Sequence, residues 1–168
     1  MLALLTILSA FAPVAAPASA ADLPEPTGKV VLEISGEIAN TNRDGVAVFD
    51  SAMLDALGRH VVTTSTVWTE RGPHQFEGVL MRDVLKAVGA TKATTVKAKA
   101  LNDYQVEIPV ADFQRYDVIL ASSLDGKMLT ARDKGPLWIV YPRDDHGELA
   151  DERMDQRWVW QLNRLELR

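Results

Sequence analysis

Across residues 29–35 apolar and polar positions alternate, with Val30, Leu32 and Ile34 on one face and Gly36 behind them, a period of two that predicts an opening strand. The cluster Asn40-Thr41-Asn42-Arg43-Asp44-Gly45 predicts a turn, and residues 46–49 a short strand ending on Asp50. Asp50 or Ser51 is placed to cap a short helix that carries Met53, Leu54 and Leu57 on one face and is closed by Gly58. Residues 60–68 are rich in β-branched side chains and read as a strand, followed by a turn through Gly72-Pro73. Over residues 78–89 the period changes. Val79, Leu80, Val84, Leu85 and Val88 recur at helical spacing, with Gly89 as the C-terminal cap.

Residues 95–101 and 105–109 flank the turn Asn102-Asp103-Tyr104 and predict a hairpin, after which residues 110–114 hold at most one or two helical turns. Residues 117–121 read as an apolar strand, Asp125-Gly126 as a tight turn, residues 137–141 as a central strand and residues 158–167 as a closing strand. Strands dominate, the helices are short and inserted between them, and no regular βαβ alternation occurs. The predicted class is α+β with mixed or antiparallel sheets.

The first 20 residues obey a different rule: they carry no charge, Leu2 to Phe11 is apolar, and Ala18-Ser19-Ala20 has the small-residue pattern of a cleavage site. This predicts a signal peptide over residues 1–20, with Ala21 as the mature start and a periplasmic or secreted destination, as in a bacterial exported protein. Pro13 and Pro17, with Asp22 and Glu25 just beyond, weaken the alternative of a membrane span, and no cysteine follows the cleavage site to carry a lipid. The missing basic n-region leads to the expectation of a start upstream of Met1. Residues 21–28, rich in proline and acid, read as a flexible leader, leaving residues 29–168 as one domain.

Charge narrows the partners. The 168 residues hold 18 Lys+Arg against 23 Asp+Glu, a net charge of −5 with no basic cluster, which argues against nucleic acid or an anionic membrane surface. The absence of cysteine excludes disulfides, thiolate zinc sites, iron–sulfur clusters and a cysteine nucleophile. His60, His74 and His146 lack metal-ligand spacing. Asn40-x-Asn42-x-Asp44-Gly45 imitates the start of a calcium loop, but its twelfth position is Ser51 instead of a bidentate Glu, so a hairpin turn is expected. The acidic stretch from Asp144 to Asp155 reads as a solvated loop rather than a cation site. Of the four tryptophans, Trp138 belongs to the core by its apolar run, and Trp68, beside the Gly-Pro turn, is the better candidate for lining a pocket.

The segments also fall into a known order. Phe76-Glu77-Gly78-Val79-Leu80-Met81-Arg82-Asp83-Val84-Leu85 resembles the W-x-G-V-x-L-x-x-L-L segment of the sulfite-oxidase-like molybdopterin-binding domain, and Asn102-Asp103-Tyr104 resembles its D-G-Y hairpin. Ile119-Leu120-Ala121 through Asp125-Gly126-Lys127-Met128-Leu129, then Lys134-Gly135-Pro136-Leu137-Trp138 to Pro142, is similar to its following run, and Trp160-Gln161-Leu162 to Glu166 to its closing strand. The resemblance spans roughly residues 28–168 and implies the sulfite-oxidase-like fold.

In that family a pyranopterin dithiolene holds molybdenum, and a cysteine completes the metal site for oxygen-atom transfer. The matching position here falls on or near Thr64, whose neutral hydroxyl is no substitute for a soft thiolate. The family's His-Gly reads Lys134-Gly135, and its arginine after G-x-P reads Trp138. No twin-arginine signal is visible, as export of a loaded pterin enzyme would require. The resemblance therefore implies a fold that keeps its pocket and has lost its metal, a ligand-binding or sensing accessory module with no cofactor of its own. The alternative is a divergent molybdopterin-dependent oxidoreductase working without a protein thiolate. The matched cofactor loops implicate Thr64, Ser65, Trp68, Asn102, Asp103, Tyr104, Arg132, Lys134, Tyr141 and Arg143. Arg132 and Lys134 would meet an anionic group, and Trp68 and Tyr104 a planar ring; a redox or signalling protein is the candidate partner.

Overall fold

The structure is a computed structural model and describes residues 23–168; the signal-peptide expectation for residues 1–20 lies outside them. The chain forms β1 (Val30–Gly36), β2 (Ala47–Asp50), α1 (Ser51–Ala56), β3 (His60–Thr64), β4 (His74–Leu80), α2 (Met81–Ala87), β5 (Thr95–Ala100) and β6 (Gln105–Pro109). There follow α3 (Val110–Arg115), β7 (Ile119–Leu124), β8 (Lys127–Met128), β9 (Trp138–Val140), two 3₁₀ turns (Arg143–Asp145 and Gly147–Leu149), α4 (Glu152–Asp155) and β10 (Leu162–Leu167).

Two sheets carry these strands. The first runs β2-β1-β10-β5-β6, with β1 and β10 parallel and the other pairs antiparallel. The second runs β3-β4-β7-β8, with β9 also paired to β7. One hydrophobic core draws on both: Leu32, Ile34, Val96 and Leu165 from the first, Phe76, Ile119 and Trp138 from the second, and Val84 and Phe113 from α2 and α3. The expected α+β class with mixed sheets and short inserted helices is what the chain adopts.

Local chemistry sets the elements. Asp50 caps α1 by accepting from the Met53 N–H at 2.8 Å, and its other oxygen accepts from Thr27 and Gly28 at 2.9 and 2.7 Å. These backbone donors hold the carboxyl below its ordinary range, Met53 foremost. Residues 23–28 form no helix or strand, yet Leu23 packs on the core. In the turn after β1, the Asn42 side chain donates to Val48 O and accepts from Val48 N, while Asn40 donates to Ala87 O. Both amides thus serve the turn.

Several boundaries differ from the sequence pattern. The helix expected over residues 78–89 begins only at Met81, because Val79 and Leu80 pair with Leu120 and Ile119 as the end of β4. Two apolar neighbours fit either period, and a partner strand decided between them. The strand expected over residues 60–68 stops at Thr64, where Ser65 turns away to Asp144 and Thr66 accepts the Trp68 N–H in a local turn. The closing strand starts at Leu162 instead of residue 158: Gln161 adopts φ 53°, and its N–H donates to Lys134 O. Residues 137–141 give only the three-residue β9, buried throughout and paired as a strand to β7, while Leu137 bridges to Leu162 and the Ile139 N–H donates to Val159 O. β8, α4 and the 3₁₀ turns left no signal of periodicity because each is shorter than one repeat of a recognisable pattern.

Candidate functional site

Three segments far apart in sequence enclose a cleft of about 570 Å³. The loop between β3 and β4 contributes Trp68, and the β5–β6 hairpin contributes Asn102, Tyr104, Gln105 and Val106. The third wall is the stretch from the end of α4 toward β10, with Asp155, Gln156, Trp158 and Trp160.

The hairpin tip is shaped by its own side chains. Asn102 accepts the Tyr104 N–H at 3.1 Å, and Asp103 takes φ 66°, a left-handed conformation that Asn and Asp tolerate best after glycine. Asp103 turns outward to Lys99 at 2.8 Å, which lowers its pKa and keeps it off the lining. Tyr104 then reaches across and donates its hydroxyl to Gln156 O at 2.8 Å, joining hairpin to third wall. Burial raises the Tyr104 pKa, so this phenol stays a neutral donor.

Behind the cleft lies an aromatic stack. Trp158, 2% exposed, packs on Tyr141 at 6.2 Å and edge-on to Trp138 at 6.4 Å, and Trp138 meets Phe76 at 5.3 Å. Tyr141 is wholly buried and donates to Asp112 Oδ2 at 2.9 Å, a carboxylate also held by Arg157. Burial, with Asp112 beside it, pushes the Tyr141 pKa well up. Tyr141 therefore backs the cleft without entering it.

The remaining implicated residues separate into two groups. Thr64 and Ser65 fasten the end of β3 to the first 3₁₀ turn: the Asp144 N–H donates to Thr64 Oγ1 at 3.1 Å, and Ser65 donates through N and Oγ to the Asp144 carboxylate at 2.7 and 2.5 Å. Arg143, on the same turn, sets Nε 3.8 Å from Asp155 Oδ1, and that Nε is buried without a hydrogen-bond partner. Arg132 stands exposed in the turn of residues 131–134, which Gln161 secures through Ala131 O and Asp133 O. Lys134 lies over the Trp138 ring at 5.6 Å. Neither cation lines the cleft.

Sequence reasoning thus implicated Trp68, Asn102 and Tyr104, which the structure brings together, and missed Gln105, Val106, Asp155, Gln156, Trp158 and Trp160. Trp160 lay in the segment that resembles the closing strand and Asp155 in the acidic stretch expected to be a solvated loop, and neither pattern pointed to a cleft.

The family model of the oxidoreductase molybdopterin binding domain matches residues 50–144, more than half of the chain. The chain belongs to that family. Among curated proteins none matches it. Among solved structures, the crystal structure of the sulfane dehydrogenase SoxCD from Paracoccus pantotrophus is similar with a TM-score of 0.62 and 19% identity. The match covers 81% of this chain and 37% of that one, so this molybdopterin-binding-domain protein spans well under half the length of its neighbour. The likeness is one of fold, and the fold is sulfite-oxidase-like.

The donors present do not fit a thiolate-ligated molybdenum pterin. The chain has no cysteine, and Thr64, on or near which the resemblance puts the ligand, is wholly buried with its hydroxyl already accepting from Asp144. Among the described residues no group of three or more His, Cys, Asp or Glu side chains is arranged to hold a metal ion. The cleft also offers a cofactor phosphate one carboxylate and no cation.

Proposed function

We propose that this chain is an exported member of the molybdopterin-binding-domain family that has given up metal-centred redox chemistry and serves as a ligand-binding or sensing accessory module. One observation carries the reading: the hydroxyl of Thr64, on or near which the resemblance puts the metal ligand, is spent on the fold, holding Asp144 to the end of β3, while an aromatic cleft remains open beside it in the chain at Trp68. Trp68 is 44% exposed and Tyr104 43%, more than packing alone requires of such large rings, and aromatic rings open to a cleft suit the stacking of a planar ligand. The uncharged leader of residues 1–20 supports export, and a module that binds without turning over needs a partner to read it, for which a redox or signalling protein is the proposal.

The test is metal and pterin content. The full chain, produced in a host that makes the pterin cofactor, should purify with neither molybdenum by mass spectrometry nor the fluorescence of an oxidised pterin. Stoichiometric molybdenum with that fluorescence would overturn the reading in favour of a divergent oxidoreductase.

A further inference from the structure

We propose that the cleft selects a planar organic cation. The inference rests on the ligand-binding reading above and adds the charge of the ligand, which runs opposite to the anion that Arg132 and Lys134 suggest in the sequence.

Charge complementarity carries it. Four aromatic side chains, Trp68, Tyr104, Trp158 and Trp160, border the cleft, and the face of each ring is the negative end of its quadrupole. The single charged group in the lining is Asp155. Its side chain is 13% exposed, yet no hydrogen-bond donor among the described residues satisfies it. The nearest, Arg143 Nε, stops 3.8 Å away, outside hydrogen-bond range. The Arg143 charge offsets part of the cost of burying this carboxylate, and a ligand N–H or cationic ring placed against it lowers that cost further.

Arg143 stands beside Asp155, 3.8 Å away and off the cleft lining, and three further cations are engaged elsewhere. Lys134 covers Trp138, Lys99 pairs with Asp103, and Arg157 with Asp112. Arg143 offsets part of the Asp155 charge from outside the lining, so an anionic ligand would meet aromatic rings and a carboxylate but no lining cation, whereas a cation is favoured by both. The amides of Asn102, Gln105 and Gln156 complete the lining and serve either sign, so they orient a ligand without setting its charge.

Three bicyclic probes of nearly equal shape separate the possibilities: cationic 1-methylquinolinium, neutral quinoline at mildly alkaline pH, and anionic 1-naphthoate, each titrated calorimetrically into the mature chain. The cation should bind about tenfold or more tightly than either of the others, and Asp155→Asn should lower its affinity to that of quinoline. Near-ultraviolet circular dichroism of the tryptophans checks that the variant is folded, and Asp155→Glu, which keeps the charge, should retain the preference. Equal binding of the three probes, tightest binding of naphthoate, or an Asp155→Asn variant with undiminished preference for the cation overturns the charge assignment while leaving the module reading intact. Binding of none of them overturns both the charge assignment and the cleft as ligand site.

Discussion

The backbone N–H of Asp144 donates to the hydroxyl of Thr64 at 3.1 Å across 80 positions of sequence. This contact joins the strand that leads into the Trp68 loop to the turn that carries Arg143, and it lies on or near the position where the family resemblance would put a metal thiolate. Replacing Thr64 by Val keeps the volume and removes the acceptor, leaving a part-buried N–H unpaired. Unfolding in urea should show a loss of about 1–3 kcal/mol. An unchanged midpoint would mean that the hydroxyl is not holding the turn.

Trp68 contributes to the cleft far more than to the core, since nearly half its surface is open. Trp68→Ala should cost about tenfold in affinity for 1-methylquinolinium, read by calorimetry, with a small change in melting temperature. Tyr104→Phe, which breaks the hydroxyl bridge to Gln156 O, should weaken the same titration by only a few-fold, the worth of about one hydrogen bond. A collapse of the fold in Trp68→Ala would make the ring a packing residue instead.

His74 makes stability depend on pH. Its Nδ1 lies 2.8 Å from Asp125 Oδ2 and its Nε2 3.3 Å from the Glu70 carbonyl, two acceptors that only the doubly protonated ring satisfies. The Asp125 hydrogen bond is the main cause that raises the His74 pKa. A raised histidine stabilises fully below its unfolded value of about 6.5 and loses that contribution as pH rises through the folded value. Melting curves of the wild type and His74→Gln, taken between about pH 5 and 9, should therefore converge toward the alkaline end. A gap that stays constant with pH would remove the ionic contribution.

Gly78 permits the closest approach in the second sheet. A Cβ there would stand 1.9 Å from Leu120 O, so Gly78→Ala must push β4 from β7. The expected loss is about 3 kcal/mol or more, visible as reduced soluble yield and a lower urea midpoint. Gly147→Ala is the control: nothing lies within 4 Å of its added carbon, and the variant should match the wild type.

Much of the fold was legible in the chain because it is locally encoded. The alternation that predicts β1, the Asp50 cap and the β5–β6 hairpin each depend on residues a few positions apart, and each is found in place. What misled was ambiguity that only a neighbour resolves. Val79 and Leu80 suit a helix or a strand until β7 pairs with them, and residues 158–161 look like strand until Gln161 bonds to the turn of residues 131–134. The candidate site divides along the same line. Trp68, Asn102 and Tyr104 stood out by turn chemistry and resemblance, whereas Trp158 and Trp160 were absorbed into an expected strand and Asp155 into an acidic loop, and only the fold brings them to the cleft.

By itself, then, the sequence determined the class, the family resemblance and the missing thiolate, because periodicity, caps and the absence of an atom are properties of residues and their near neighbours. The tertiary structure alone decided that Thr64 is spent on Asp144, that Lys134 covers Trp138, and that Asp155 shares a cleft with four aromatic residues while Arg143 stops 3.8 Å short of it. Those are pairings between distant segments, and side-chain charge acquires its meaning for a ligand only when the fold settles which groups already neutralise one another.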